Sequence, residues 1–262
     1  MQRKSIVSLV IVAALVFGIL IISRNQNLSA VVTGGCKQII EVGKSVRGTP
    51  IFACQLNGSA DESENALLII GSMHGDEPAG KLIVDQLIAS GAPAGSEIWA
   101  IRDVNPDGAG LATRQNANGV DLNRNFPTKW LPSEVGTRTY SGPSPMSEPE
   151  TRAVMHAASL IRPSRVVVFH QPYAQIDCAP DRPDDFANRL AALTGFLAEC
   201  IPGEKSGSPT NTYTGTFTIW INGEYPETTA LTFELGLTTW QAQVDALAKA
   251  LRTVALDQAY LP

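Results

Sequence analysis

The sequence predicts an α/β fold: one domain with a central mixed, largely parallel twisted sheet flanked by helices, preceded by an N-terminal hydrophobic helix. Of the 262 residues, 44% are hydrophobic, which is enough to bury one core of ordinary size. Beyond residue 35, short apolar runs alternate with helical patterns. Several of these runs have no polar face, as expected for strands inside a sheet that is covered on both sides.

The individual elements follow from these patterns. Strands are predicted at 51–55, 67–72, 97–104, 165–169 and 229–235. Helices are predicted at 78–90, at 184–200, at 239–256 and from Ser147, where Ser147-Glu148-Pro149-Glu150 has a capping-box pattern. Residues 108–147 are rich in Gly, Asn, Pro and Thr, and this segment is too long for a simple connection. We expect it to carry binding groups.

The N-terminus predicts export. Two basic residues, Arg3 and Lys4, precede an apolar run at 6–22 that only Ser8 and Gly18 interrupt. The run exceeds the apolar core of about 7–15 residues of a signal peptide, which favours a retained membrane anchor over a cleaved signal. The positive residues place the N-terminus in the cytoplasm and the rest outside it. We therefore divide the chain into an anchor or signal segment with its linker, 1–30, and a folded domain, 31–262, which is secreted if the segment is cleaved.

The net charge and the cysteine content limit the binding partners and the cellular compartment that we expect for this protein. A net charge of -5 and an isoelectric point near 5.3 leave no basic surface for nucleic acid, so we expect no nucleic-acid partner. The four cysteines form an even set in a chain that is predicted to be exported, and disulfides persist in oxidising compartments. Pairing Cys36 with Cys54 and Cys178 with Cys200 closes modest loops, although four cysteines permit three pairings and free buried thiols remain the alternative.

Side chains with metal-binding and acid-base chemistry follow three of the predicted strands. His74 and Glu77 come just after the strand at 67–72, His170 follows the strand at 165–169, and Glu234 lies at the end of the strand at 229–235. Ligands of open α/β sheets bind at this edge, so we expect the four side chains to converge. The remaining histidine, His156, falls within a predicted helix and receives no role.

Two histidines and one glutamate form a set that suits zinc. Zinc accepts imidazole nitrogen and carboxylate oxygen together, and three protein ligands leave a fourth position open for water. An open position indicates catalysis, because the metal lowers the pKa of the bound water and polarises a carbonyl group. A separate carboxylate must then move the proton, and Glu234 is the candidate general base and acid.

Several further motifs occur in an informative order. They are His74-Gly75-Asp76-Glu77, Asn105-Pro106-Asp107-Gly108, Thr113-Arg114, Asp121-Leu122-Asn123-Arg124-Asn125-Phe126-Pro127, the strand ending in His170, and Thr232-Phe233-Glu234-Leu235. Together they resemble the zinc carboxypeptidase family over residues 43–235. The resemblance implies one Zn²⁺, held by His74, Glu77 and His170, with Glu234 as the catalytic acid and base.

The resemblance also implies roles for residues outside the metal set. Arg114 would stabilise the oxyanion, and Asn123 and Arg124 would bind a substrate carboxylate. Asp121 would orient His74 by accepting its second N–H group. Tyr213 is the candidate for the family's mobile substrate-covering tyrosine, although its surrounding loop, Thr212 to Thr216, differs from that of the digestive enzymes.

Three segments are similar to those of the bacterial branch that contains murein peptide amidases. They are Gly75-Asp76-Glu77-Pro78-Ala79-Gly80, the segment from Gly119 to Pro127, and His170-Gln171-Pro172-Tyr173 followed by Asp177. The resemblance implies an exported metallopeptidase that hydrolyses an amide bond beside a carboxylate-bearing C-terminal residue, namely the γ-D-glutamyl–diamino acid bond of peptidoglycan stem peptides. The expected partners are this peptide and, through the N-terminal segment, the membrane. Three alternatives remain: a general metallocarboxypeptidase, an aspartoacylase-like deacylase of N-acyl amino acids, and a catalytically silent cell-wall peptide binding module.

Overall fold

A computed structural model describes residues 34–60, 65–177, 185–199 and 214–257. The predicted N-terminal hydrophobic helix, Tyr213 and the predicted Cys178–Cys200 pair lie outside the described residues. Among the helices that are described, none combines the length and the apolar character needed to cross a membrane.

The strands form one mixed sheet. In chain order they are β1 (Cys36–Lys44), β2 (Pro50–Leu56), β3 (Leu67–Ile70), β4 (Ile98–Ile101), β5 (Arg165–His170), β6 (Gln175–Ile176), β7 (Leu197–Ala198) and β8 (Thr229–Glu234). Their order across the sheet is β1-β2-β4-β3-β5-β8-β6-β7. The centre, β4-β3-β5-β8, is parallel, whereas β2 pairs with β1 and β4, and β6 with β8, in antiparallel fashion.

Helices cover both faces of the sheet. They are α1 (Ala79–Ser90), α2 (Pro106–Leu111), α3 (Pro149–Ile161), α4 (Asp185–Thr194), α5 (Phe217–Glu224) and α6 (Gln241–Val254), with a 3₁₀ turn at Leu122–Arg124. Apolar residues of α1, α4 and α6 pack against one face, and those of α3 and α5 against the other. All residues of the four central strands are buried, which explains why their sequences lack a polar face.

The five predicted strands are confirmed, with ends that differ by up to three residues. Strands β1, β6 and β7 were not predicted. Strand β1 is half exposed and carries Lys37, Gln38 and Glu41 among its apolar residues, so it has no continuous apolar run. The other two are two residues long, which is too short for periodicity to detect.

The helix predicted at 184–200 is too long. Helix α4 ends at Thr194 because Gly195 follows with a φ of +76°, a conformation that glycine adopts easily, and its N–H donates to Ala191 O. Strand β7 then occupies two of the residues that had been assigned to the helix.

The helix predicted from Ser147 begins at Pro149, and its capping box is not formed. Ser147 Oγ donates to Glu148 Oε1, and Glu150 accepts the N–H of Val46 instead of capping its own helix. The long segment before it is not a plain loop, because α2 and the 3₁₀ turn lie within it.

The predicted bridge between Cys36 and Cys54 is confirmed. The Cα atoms are 5.6 Å apart, and the bond joins the neighbouring strands β1 and β2. It ties the edge strand β1 to the rest of the sheet.

Candidate metal centre

Three neighbouring strands bring the predicted metal-binding and acid-base side chains to one edge of the sheet. Beyond β3 the chain runs through Gly71 into a turn in which Glu77 N–H donates to His74 O. His170 ends β5 and lies beside Glu234 in the register of β5 and β8. All four side chains are buried. The convergence expected from the strand ends is therefore confirmed.

The backbone at His74 depends on a close approach to α2. A Cβ atom on Gly75 would lie 2.1 Å from the carbonyl carbon of Gly108. Only glycine therefore fits between His74 and Asp76 while this turn contacts the start of α2. This contact gives a physical reason for the glycine in His74-Gly75-Asp76-Glu77. Gly108 has a different reason, because a Cβ atom there would lie 2.4 Å from Asn105 Nδ2 and 2.5 Å from Gln115 O.

The predicted ligand atoms lie close together. His74 Nδ1 and His170 Nδ1 are 3.1 Å apart, and each is 2.9 Å from Glu77 Oε2. Candidate donor atoms of the three residues all lie within 4.8 Å of one another. Two imidazoles and a carboxylate thus face a common point.

Asp121 and Arg114 surround this cluster. Asp121 Oδ1 lies 3.0 Å from His74 Nε2, so it accepts that N–H and directs Nδ1 toward the cluster, where an Arg114 Nη atom lies 3.0 Å from it. Arg114 donates from Nε to Asp121 Oδ2 and from an Nη atom to Glu77 Oε1, both at 2.9 Å. Asn105 holds this arginine in place, because its amide donates to the Arg114 carbonyl.

The charges around the cluster determine which groups ionise. Burial alone would raise the pKa of Glu77, but the charge of His74 and hydrogen bonds from both imidazoles hold it well below its ordinary value. Burial would also raise the pKa of Asp121, and His74 and Arg114 lower it in the same way. Both carboxyl groups are therefore ionised at neutral pH.

The pKa values of the two imidazoles are shifted in opposite directions. Burial lowers the pKa of His170, which keeps this side chain in the neutral form that binds metals. Burial also acts to lower the pKa of His74, but the charges of Glu77 and Asp121 outweigh it and raise that pKa. Metal binding at this position therefore displaces a proton.

The surroundings of Glu234 raise its pKa, whereas those of Glu77 lower the pKa of that residue. Burial, followed by the negative charge of Glu77, raises the pKa of Glu234 to about 7. Its side chain is 6% exposed, and Oε2 has no hydrogen-bond partner among the described residues. The N–H of Tyr173 partly opposes the shift. A carboxyl group with a pKa near neutrality can accept and return a proton at physiological pH.

The residues fit a zinc ion. The donor set is two imidazole nitrogens and a carboxylate oxygen, and the nitrogens face each other at a distance where a shared cation is favourable. The second nitrogen of His74 is bound to a carboxylate, as in carboxylate–histidine–zinc arrangements. Glu234 Oε2, which has no hydrogen-bond partner in the described part of the chain, adds a polar group to the cluster beside the three ligands.

The predicted carboxylate-binding residues lie beside the cluster, and their side chains already form hydrogen bonds within the protein. Asn123 Oδ1 accepts the N–H of Phe217 at the start of α5, and its Nδ2 lies 3.4 Å from His170 Nε2. Arg124 is 9% exposed and donates to Asn123 O. The structure brings both residues to the site, and it also gives Asn123 a local packing role that the sequence did not reveal.

Two features of the site escaped the sequence analysis. Gln171 connects the ends of three segments around the cluster, which only the folded structure brings together. Asn116 donates to Glu148 and Glu150, which fastens the segment between Arg114 and Asp121 to α3. The abundance of Asn in this segment was the available signal. His156 lies elsewhere, with its Nδ1 3.1 Å from Val42 O.

Comparisons with known proteins agree with this geometry. The zinc carboxypeptidase family matches residues 34–175, more than half of the chain. Murein peptide amidase A of Escherichia coli strain K12 is 36% identical over 147 residues, which cover 52% of this chain and 60% of that relative. The chain thus spans about 60% of the length of this curated relative.

Solved structures extend the likeness over most of the fold. The murein-tripeptide amidase of Escherichia coli O157 superimposes with a TM-score of 0.69 and 25% identity, covering 86% of this chain and 94% of that one. Bovine thrombin-activatable fibrinolysis inhibitor, solved with a tick carboxypeptidase inhibitor, gives 0.67 at 19% identity and covers 90% and 93%. The second likeness concerns the fold alone.

Proposed function

Because this chain belongs to the zinc carboxypeptidase family, we propose that it is a zinc-dependent amidase that cuts the γ-D-glutamyl–diamino acid bond of peptidoglycan stem peptides. The observation that carries the proposal is the buried cluster of His74, Glu77 and His170 beside Glu234, whose carboxyl group has a pKa near 7. The names of the murein peptide amidase relatives support the substrate class.

Each side chain around the cluster has a distinct task. His74, Glu77 and His170 would hold one zinc ion, which would supply water activation and carbonyl polarisation. Glu234 Oε2 takes a proton from the attacking water. Glu234 then returns this proton to the nitrogen of the departing diamino acid.

Arg114 stabilises the negative charge that develops on the amide oxygen. Its guanidinium is 12% exposed at the side chain and is fixed by Asp121 and Glu77 before substrate arrives. Such preorganised charge needs no rearrangement during the reaction, which is where electrostatic catalysis gains most. Asp121 also holds the ring of His74.

Binding of the substrate's terminal carboxylate falls to Arg124 and Asn123. Arginine can bind a carboxylate with two parallel hydrogen bonds, and both residues lie next to the cluster. Tyr213 remains the proposed covering residue. A substrate that ends in a free carboxylate is what this arrangement favours.

We also propose that the enzyme works outside the cytoplasm, held by its N-terminal segment or secreted after cleavage. The apolar run at 6–22 and the Cys36–Cys54 disulfide support this placement, since disulfides persist in oxidising compartments. Protease added to intact spheroplasts should degrade the folded domain, and sequencing the mature N-terminus should separate anchor from secreted form. Complete protection from the protease would contradict the proposal.

The function is tested with the purified full chain loaded with zinc. Release of diaminopimelate is followed from L-Ala-γ-D-Glu-diaminopimelate, with an all-L tripeptide and an N-acyl amino acid as parallel substrates. We expect release from the stem peptide and little reaction with the other two.

The other results point to the alternatives. Trimming of the all-L peptide alone would indicate a general metallocarboxypeptidase, and hydrolysis of the N-acyl amino acid would indicate a deacylase. Zinc binding with no reaction on any substrate would indicate a binding module.

A further inference from the structure

Gln171 follows His170 at the end of β5 and is connected to two other segments of the site. Its side-chain Oε1 accepts the N–H of Ala79 at 3.0 Å. Its Nε2 donates to Gly236 O at 2.8 Å. Its backbone N–H donates to Glu77 Oε2 at 3.3 Å. One residue thus contacts the turn that carries Glu77 and the chain that leaves Glu234.

The contact with Ala79 supplies a missing helix cap. Ala79 is the first residue of α1, two positions after Glu77, and the preceding Pro78 provides no side-chain cap. The first N–H groups of a helix have no partner within the helix. Gln171 satisfies one of them from a different part of the chain, which fixes the start of α1 against β5.

The contact with Gly236 continues the sheet beyond its last backbone pair. The ladder between β5 and β8 ends where Leu235 N–H donates to His170 O. The next link between the two segments is the side-chain amide of Gln171 on Gly236 O. Without it, Gly236 would lose its link to the segment that carries His170, and the backbone just after Glu234 would depend on the hydrogen bonds of Leu235 with His170 and Ala174.

From these contacts we infer that Gln171 is a positioning residue that sets the Glu77 turn and the Glu234 segment at a fixed spacing across His170. The inference rests on the proposed function for its catalytic part, whereas its metal-binding part stands on the cluster alone. Residues that support metal ligands change metal affinity, and small displacements of a catalytic group change turnover.

Three variants of the full chain separate these effects. Gln171→Met keeps the length of the side chain and removes both hydrogen bonds. Gln171→Glu keeps the acceptor for Ala79 and removes the donor to Gly236. Gln86→Met is the matched control, because Gln86 lies in α1, the helix that Gln171 caps, and its amide donates to Ser90 Oγ at the surface.

Zinc affinity is measured by competition with a chelator, and kcat and KM are measured on the stem tripeptide at saturating zinc. In Q171M we expect zinc affinity about 10- to 100-fold weaker. We also expect its kcat to be about 10- to 100-fold lower at unchanged KM. Q171E should keep zinc affinity and lose kcat, and Q86M should match the wild type.

The inference is overturned if Q171M binds zinc as tightly as Q86M, or if zinc-loaded Q171E turns over at the rate of the wild type. A wild type that binds zinc and cuts no peptide would refute the proposed function, while the zinc affinities would still decide the metal-binding part. If Q171M does not fold, Gln171→Asn, which is too short to reach both partners, takes its place in the zinc measurement.

Discussion

Two glutamates a short distance apart show how position determines chemistry in this protein. Glu77 is surrounded by imidazole and guanidinium groups, so its carboxylate is favoured and its pKa falls. Glu234 is buried near that negative charge, and one of its oxygens has no partner among the described residues, so its pKa rises to about 7. One acid is suited to bind a cation, and the other to carry a proton.

The raised pKa of Glu234 makes a prediction about stability. In the folded state the neutral acid is favoured, so the metal-free protein loses stability as pH rises from the ordinary carboxyl pKa toward 7. The variant Glu234→Gln does not lose stability in this way, because a glutamine side chain does not ionise. Above pH 7 the metal-free variant should exceed the wild type in free energy of unfolding by about 3 kcal/mol, and the gain should disappear below the ordinary carboxyl pKa.

Urea unfolding in the presence of a chelator measures this difference at several pH values. Glu227→Gln serves as a control, because Glu227 is an exposed acid close to the start of β8. A gain that does not change with pH would show that the pKa of Glu234 is not raised in the folded protein.

Asp121 supports a second prediction at this scale. Asp121→Asn keeps the size of the side chain and removes the charge that orients His74 and pairs with Arg114. Zinc affinity should fall about 10- to 100-fold. Asp85→Asn removes a surface partner of Arg102 instead and should leave zinc affinity unchanged. Equal affinities for the two variants would contradict the orienting role of Asp121.

At the scale of elements, the central strands and their ends were predictable from the sequence. Runs that are mostly apolar predicted β3, β5 and β8 because buried parallel strands need no polar face. The residues at or just beyond the ends of these strands then predicted His74, His170 and Glu234 as neighbours. The order of the motifs added Arg114 and Asp121.

What the sequence could not predict depends on contacts between distant segments. Gln171 caps a helix that begins 92 positions earlier, and no local pattern indicates this. The capping box at Ser147 failed because Glu150 is drawn to Val46 N–H and Asn116 Nδ2. Tertiary hydrogen bonds replaced the local ones in both cases.

Arg165 holds the C-terminal helix to the sheet. This buried arginine begins β5 and donates to the carbonyls of Val254, the last residue of α6, and Asp257. Arg165→Met would leave these carbonyls without their charged donor. We expect a loss of about 3 kcal/mol in free energy of unfolding, measured by urea denaturation.

Arg152→Met is the matched control for this change. Arg152 also donates to two carbonyls, those of Met146 and Ser147, but it lies on the exposed side of α3. Its replacement should cost less than about 1 kcal/mol. If both variants lose the same stability, burial of Arg165 is not what makes its contacts important.

At the scale of the molecule, the metal site joins parts of the chain that are far apart in sequence. His74 and His170 are separated by 96 positions and approach each other only when β3 and β5 pair. A cation bound there stabilises the folded state over the unfolded chain, in which the three ligands are dispersed. The whole domain should therefore respond to zinc.

Thermal unfolding tests this response. Zinc at about 1,000 times its dissociation constant should raise the free energy of unfolding by about 4 kcal/mol. His170→Ala should lose this gain, whereas His156→Ala should keep it, because His156 lies outside the cluster. A gain that survives in His170→Ala would place the zinc elsewhere.

The most direct test of the whole account is a comparison of zinc content and turnover in the wild type and Glu234→Gln. Both proteins should bind one zinc per chain, and the variant should release diaminopimelate from the stem tripeptide about 10²- to 10⁴-fold more slowly, since only the proton carrier is lost. Turnover at the wild-type rate by the zinc-loaded variant would contradict the assignment of Glu234 and, with it, the proposed mechanism.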